Sequence, residues 1–226
     1  MGYTAIIPAA GLGKRMGMDY NKVFIRINEM AVIQMTVSQF EKDDHCEAIY
    51  LAARADEIES MNELFSDSKK VKGIFAGGSE RQDSIYNVLK QIPKCRYVMI
   101  HDGARPFVTK DTLDALYESV KVDKAVICGV NVKDTIKIVD DGLVTNTVPR
   151  ERLFVVHTPQ AFDYDLILKA HREARENQLA VTDDAMMVEE LGRSVSVVPS
   201  NYDNIKITTT EDLIIAEAIL QRGDLG

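Results

Sequence analysis

The sequence predicts an α/β fold, a Rossmann-like three-layer sandwich with a mostly parallel sheet, and three observations carry that expectation. Short apolar runs alternate with segments of helical period along the 226 residues, which is the pattern of successive βαβ units. Apolar residues make up 46% of the chain, enough for one sizeable core. The first apolar run ends in a glycine-rich turn, Pro8-Ala9-Ala10-Gly11-Leu12-Gly13-Lys14-Arg15-Met16-Gly17, and open α/β sheets bind ligands at such carboxyl ends of strands. The length, with no linker and no internal repeat, predicts a single domain over 1–226.

In chain order, the apolar runs predict strands at Tyr3–Pro8, Glu47–Ala53, Val71–Phe75, Tyr97–His101, Ala125–Val130 and Val195–Pro199. Each is short and ends in turn-forming or polar residues. Stretches of helical period between them predict helices at Val32–Lys42, Asp56–Phe65, Glu80–Ile92, Lys110–Val120, Tyr164–Glu176, Asp183–Leu191 and Glu211–Arg222. One stretch breaks the alternation. Residues 135–148 read as a β-hairpin turning at Asp141-Gly142, part of a β-arm at about 134–157. An isolated two-stranded arm is marginal in water and needs a surface to cover it. A second copy of the chain is the economical cover.

The formal charge of -8 counts against a nucleic-acid or anionic-membrane partner, because either requires a basic face. No apolar run approaches a membrane span. The three cysteines, Cys46, Cys95 and Cys128, lie far apart without a CxxC pair, which predicts neither a disulfide framework nor a zinc site and makes a reducing cytoplasm the expected compartment. The opening residues run straight into a strand and lack a secretory pattern. Ile6 stands where a myristoylation signal needs Ser or Thr.

The chemistry-bearing residues cluster in a few segments. Pro8, Ala9, Ala10, Gly11 and Gly13 form a small-residue turn whose backbone N–H groups can approach a phosphate chain, with Lys14 and Arg15 inside it and Lys22 just after. Its spacing matches neither the dinucleotide fingerprint nor the Walker loop, and its bland reading is a βα turn with solvated basic residues. His101-Asp102-Gly103-Ala104-Arg105-Pro106 ends the fourth strand, placing Asp102 and Arg105 where a ribose or a metal-bound phosphate would sit; a simple Asp–Arg turn clasp is the alternative. His101 reads as a strand residue. In Gly77-Gly78-Ser79-Glu80-Arg81-Gln82-Asp83-Ser84, Ser79 and Gln82 are expected to form a capping box, while the Gly-Gly turn can also expose backbone to a base edge. Thr182-Asp183-Asp184 reads as a helix start and is left structural. Lys206, between two apolar neighbours, and Arg150 remain open between solvent-facing and site roles.

These segments together, with Asn21-Lys22, Thr158-Pro159-Gln160-Ala161-Phe162 and Asn204-Ile205-Lys206-Ile207-Thr208, resemble in order and over nearly the whole chain the 2-C-methyl-D-erythritol 4-phosphate cytidylyltransferases of non-mevalonate isoprenoid synthesis. The resemblance implies a fold of the nucleotide-diphospho-sugar transferase type and CMP transfer from CTP, with Mg²⁺ accompanying the nucleotide. It implies catalytic roles for Arg15 and Lys22 at the triphosphate and for Arg150 and Lys206 at the acceptor phosphate. Ala9, Ala10, Gly78, Ser79 and Ser84 would hold cytidine. Asp102, Arg105, Thr135 and Thr158 would line the acceptor side, with Asp102 also near the nucleotide and the one carboxylate to connect to a metal. The arm would dimerise the chain and carry Thr135 and Arg150 to the partner's site. Two positions depart from the family pattern: Val23 follows Lys22 where glutamine is frequent, and Ser79 replaces an acidic residue.

Three other readings follow from the same residues. Ribitol 5-phosphate cytidylyltransferases are similar, but tend to carry an Ala-Gly-Gly turn in place of Pro8-Ala9-Ala10-Gly11. A dinucleotide-dependent oxidoreductase fits the opening βα turn but not its glycine spacing or its basic residues. A non-catalytic nucleotide sensor would have no use for all of Arg15, Lys22, Arg150 and Lys206.

Overall fold

The computed structural model describes residues 2–11 and 21–223. Seven strands form one sheet in the order β11-β7-β10-β6-β1-β4-β5: β1 (Tyr3–Pro8), β4 (Cys46–Ala53), β5 (Val71–Ala76), β6 (Tyr97–Ile100), β7 (Ala125–Asn131), β10 (Phe154–Asp163) and β11 (Ser196–Pro199). Neighbours pair in parallel except β10, which runs antiparallel to both β6 and β7. Two short strands, β2 (Arg26–Ile27) and β3 (Met30–Ala31), pair beside the first helix.

Alternation along the central strands builds the three layers. Ala5, Ile7, Ile49, Leu51 and Met99 face one side, where they pack with Ile33, Val37 and Phe40 of α1 (Val32–Lys42), Met61 of α2 (Ile58–Leu64) and Leu113, Leu116 and Val120 of α4 (Lys110–Asp123). Ile6, Tyr50, Ala52, Val98 and Ile100 face the other, against Ile85, Val88 and Leu89 of α3 (Arg81–Leu89), Ile167 and Ala170 of α5 (Tyr164–Glu176) and Met187 and Val188 of α6 (Asp184–Glu190). A parallel sheet covered on both faces reads as continuous apolar runs for this reason. The last helix, α7 (Thr210–Arg222), closes a smaller cluster with Phe107, Val32 and Met35.

The six expected strands and seven expected helices form, three with the expected limits and the rest with ends shifted by at most three residues, and Ala55–Glu57 enters α2 as a 3₁₀ turn. The sequence reading missed β10. Pro159, a poor residue for a central strand, sits in it, and the register against β7 breaks between His157 and Gln160. The expected Ser79–Gln82 capping box is also corrected. Glu80 is the N-cap of α3 and Asp83 the N3 residue that reaches back: its Oδ2 accepts from Ser79 Oγ at 2.6 Å and from the Glu80 N–H at 3.3 Å, whereas Gln82 reaches Glu80.

The hairpin folds as expected, from β8 (Ile136–Asp140) and β9 (Leu143–Val148). Asp141 and Gly142 connect them with φ of 50° and 80°, both left-handed, as a tight two-residue turn that follows the twist of its strands requires. The pair forms a separate sheet whose Val139, Val144 and Leu143 are 54%, 61% and 72% exposed.

Candidate active site

The carboxyl ends of β1 and β6 and the start of α3 enclose a cleft of about 590 Å³ lined by Pro8, Ala9, Ala10, Gly11, Lys22, Arg54, Gly78, Ser79, Arg81, Ser84, Asp102 and Lys206, among others. That volume suits a nucleotide-sized ligand. Gly13 and Arg15 lie outside the described residues.

The backbone wall of the cleft is built by close contacts. The Ala9 N–H donates to Ala52 O at 2.7 Å, and the Gly77 N–H to Ala53 O at 2.8 Å. A Cβ on Gly77 would lie 2.5 Å from Ala10 Cβ and 2.8 Å from Ser84 Oγ, so only glycine lets the β1 turn and the α3 start approach this closely. Ser84 Oγ accepts the Gly78 N–H at 3.0 Å and donates to Glu80 O at 3.1 Å. Ser84 therefore shapes the turn as well as facing the cleft.

Lys22 opens a 3₁₀ turn whose cap is the buried Asn21. Asn21 donates to Ala9 O at 2.6 Å and to Glu57 Oε2 at 2.9 Å, and accepts the Val23 N–H at 3.3 Å. A buried amide with three partners fixes the segment against the β1 turn without the glutamine frequent in the family.

The charged floor is a chain of alternating signs. Asp102 Oδ2 accepts from Lys206 Nζ at 2.6 Å and Oδ1 from Arg81 Nε at 2.8 Å; Arg81 Nη1 reaches Asp184 Oδ2 at 2.7 Å; and His171 Nε2 lies 3.1 Å from Asp184 Oδ1. Burial alone would push both carboxyl groups up, but their cations prevail. Arg81 and Lys206 hold Asp102 well below the usual carboxylate range, and Arg81 with His171 lowers Asp184. Both acids are ionised at neutral pH.

Lys206 lies in the irregular segment before α7 rather than on a strand. Its neighbours tie it to the β6 end: the Ile207 N–H donates to Ala104 O at 2.9 Å, and Arg105 Nη1 donates to Asn204 O at 2.7 Å. Arg105 is thus a half-buried clasp beside Asp102, 4.0 Å from its Oδ2, and is not among the cleft-lining residues. Thr158 is buried behind the cleft. Its Oγ1 accepts the Asp102 N–H at 3.0 Å and lies 3.1 Å from His101 Nδ1. The other ring nitrogen of His101 meets Arg105 O at 2.8 Å. A carbonyl can only accept, so Nε2 carries the hydrogen and Thr158 donates to Nδ1. Burial holds this histidine down to about 4, which suits a neutral strut.

Thr135 and Arg150 both lie exposed at the base of the arm, and neither lines the cleft; Arg150 donates to Lys133 O at 2.9 Å. The Thr182-Asp183-Asp184 segment is a helix start as expected, with Asp183 the N-cap of α6 and Asp184 in its first turn. Asp183 caps α6 by accepting the Met186 N–H at 3.0 Å, whereas Asp184 is fully buried on Arg81. Sequence reasoning did not single out Arg81, Arg54 or Asp184 as site residues. The signal for Arg81 and Asp184 is a pairing across 103 residues, which local pattern does not display. The three cysteines are free, and burial pushes Cys46 and Cys128 up to about 12, leaving unreactive thiols. Among the described residues no helix is long and apolar enough to cross a membrane, and no cluster of three or more His, Cys, Asp or Glu residues could hold a metal.

Comparison with known proteins agrees with this fold. A protein named 2-C-methyl-D-erythritol 4-phosphate cytidylyltransferase from Bacillus cereus is 47% identical over 220 residues, 96% of this chain and 97% of the relative. One of the same name from Halalkalibacterium halodurans is 47% identical over 222 residues, covering 97% of both. The crystal structure of 4-diphosphocytidyl-2C-methyl-D-erythritol synthase from Anaerococcus prevotii superposes with a TM-score of 0.88 at 32% identity, covering 98% of this chain and 99% of that one. That of 2-C-methyl-D-erythritol 4-phosphate cytidylyltransferase from Thermus thermophilus gives 0.81 at 29%, covering 98% and 100%. The family described as "IspD: 2-C-methyl-D-erythritol 4-phosphate cytidylyltransferase" matches residues 3–222, and the chain belongs to it.

Proposed function

We infer that this chain transfers CMP from CTP to 2-C-methyl-D-erythritol 4-phosphate, releasing pyrophosphate, as a step of isoprenoid biosynthesis. Family membership and a cleft that joins a backbone cradle to Lys22 and Lys206 carry this reading. The acceptor is a phosphate monoester, whose second pKa of about 6 leaves its oxygen anionic at neutral pH. That oxygen attacks the α-phosphorus of CTP in line. The new P–O bond forms as the bond to the β-phosphate breaks, and the electron pair leaves with pyrophosphate. No general base is required, in keeping with a site whose nearest histidine, His101, is buried and neutral. The difficulty is repulsion between two polyanions, which is relieved by alignment and by cations placed where charge builds up.

The assignments of individual residues rest on where they sit. Lys22, with Arg15, would neutralise the triphosphate and the transition state. Lys206 would orient the acceptor phosphate, and backbone groups of Pro8, Ala9, Ala10, Gly11, Gly13 and Gly78, with Ser79 and Ser84, would hold cytidine and its phosphates. Asp102, Arg105 and Thr158 support the acceptor side from the cleft floor and from behind it. Mg²⁺ fits this donor set only as an ion carried by the phosphates. Asp102 is the carboxylate on the floor that could join it, each of its oxygens already holding one cation and keeping capacity for a second partner. Such an ion would add positive charge at the triphosphate.

The exposed apolar strip of the arm supports a homodimer in which Thr135 and Arg150 reach the partner's cleft. The chain would then work as one domain with a protruding arm. Free thiols fit a reducing cytoplasm.

Pyrophosphate release with CTP and Mg²⁺ tests the reaction, comparing methylerythritol 4-phosphate with ribitol 5-phosphate. Turnover selective for the first is expected. Turnover of ribitol 5-phosphate alone would move the chain to CDP-ribitol synthesis, and release with neither acceptor would remove the assignment. In the same assay Lys22→Ala should lower kcat by about 10²–10³-fold, the usual cost of one preorganised donor, with the thermal melt unchanged.

A further inference from the structure

We propose that Arg81 is a positioning residue for the acceptor half of the reaction, anchored from behind by the buried Asp184. This rests on the cytidylyltransferase reading and deepens it. Arg81 is gripped at both ends of its guanidinium, with Nε on Asp102 at 2.8 Å and Nη1 on Asp184 at 2.7 Å. Asp184 is fully buried and does not line the cleft. His171, on α5, contacts its second oxygen at 3.1 Å. The arginine is thereby immobilised by a side chain that substrates do not touch, which is how a supporting shell fixes the groups in front of it.

The arrangement has an electrostatic consequence at Lys206. Asp102 carries one negative charge and lies 2.6 Å from the Lys206 ammonium. Left with that single partner, the carboxylate would neutralise the very cation that must attract a phosphate, and would itself face an incoming polyanion. Arg81 takes up half of the carboxylate's hydrogen-bonding face, and Asp184 in turn balances Arg81. The chain Asp184, Arg81, Asp102, Lys206 sums to zero, and Arg105, 4.0 Å from Asp102, leaves a net positive floor. Losing Arg81 would make the floor neutral and free the Asp102 carboxylate to turn.

The nucleotide cradle does not depend on this chain. Gly78 is held by Ser84, Ser79 and Glu80 by Asp83, and the β1 turn by Ala52 and Asn21; none of these bonds involves Arg81. The two halves of the site should therefore separate kinetically. Steady-state kinetics of full-length R81Q, R81K, D184N and R81Q/D184N with CTP, Mg²⁺ and methylerythritol 4-phosphate test this.

R81Q is expected to lose about 10²-fold in kcat and to raise the acceptor KM at least about 10-fold, with the CTP KM kept within about 3-fold. R81K should regain part of kcat, since it restores the charge but reaches one carboxylate only. D184N should lower kcat/KM for the acceptor by about 10-fold alone and by less than about 2-fold in the R81Q background, because residues acting through one another are not additive. A CTP KM that rises in step with the acceptor KM would reduce Arg81 to a support of α3 and overturn the proposal. So would near-normal kcat in R81Q, no recovery in R81K, or additive losses. Should R81Q fail to fold, R81K and D184N must show the same separation between the two KM values. A wild-type chain without turnover would instead remove the underlying reading.

Discussion

Thr158 illustrates how much of this site is held by buried hydrogen bonds. Its hydroxyl accepts from the backbone of Asp102 and donates to a histidine that burial keeps neutral. Thr158→Val keeps the shape and leaves the Asp102 N–H and His101 Nδ1 without partners, at a cost of about 1–3 kcal/mol. The midpoint of urea unfolding should fall accordingly; an unchanged midpoint would show that the hydroxyl is dispensable. His101 also predicts an acid-labile fold. Its folded value of about 4 lies below the ordinary 6.5, so between these values the unfolded chain binds more protons than the folded one. Stability is then full above about pH 6.5 and falls by on the order of 3 kcal/mol as the pH drops toward 4. Denaturant midpoints measured across that range should decline, and His101→Gln should flatten the decline if the variant folds. Asp102 contributes with the same sign at lower pH, because its carboxyl is held down in the fold.

β1, which forms one wall of the cleft, and the helices α1 and α5 were the elements most legible in the sequence, for a physical reason. β1, α1 and α5 have the expected limits, Tyr3–Pro8, Val32–Lys42 and Tyr164–Glu176, because each is bounded by its own local chemistry, as where Asp163 caps α5. β10 was not legible, since a proline inside an apolar run argues against a central strand, and only the register break against β7 accommodates it. The cleft floor divides in the same way. Asp102, Arg105 and Lys206 stand out as charges at strand or helix ends, whereas the roles of Arg81 and Asp184 exist only once the first residues of α3 and α6 meet. The packing of α3 against the β1 turn is equally a tertiary fact. Gly77→Ala should open that joint, since its Cβ would overlap Ala10 and Ser84. We expect the CTP KM to rise at least about 10-fold with the fold retained, as a displaced cradle loses its alignment with the phosphates. A normal CTP KM would mean that the cradle is not the nucleotide's seat.

At the scale of the whole molecule the arm is the feature a lone chain does not explain. Val139 and Val144 face each other across the hairpin and form an exposed apolar strip on one face of a two-stranded sheet, with Ile138 and Leu143 exposed on the other. Such a ribbon is marginal by itself, and burying apolar surface returns roughly 25 cal/mol per Å². A second copy presents the same strip by symmetry, so a two-fold interface would cover both arms at once. Thr135 and Arg150 lie at the base of the arm and are absent from their own cleft's lining, which fits the proposed arrangement in which they reach the partner's cleft. Val139→Asp with Val144→Asp places like charges directly across the hairpin and across any two-fold interface. Light scattering should show a dimer for the wild type and a monomer for the double variant, with kcat/KM for the acceptor falling together with the dimer. Arg150→Ala should lose acceptor affinity while remaining dimeric. Mixing Arg150→Ala chains with cleft-inactivated Lys22→Ala chains should restore part of the activity, because one cleft in each mixed dimer would receive an intact Lys22 from its own chain and an intact Arg150 from the other. No recovery in a mixture shown to exchange subunits would place Arg150 outside the partner's site.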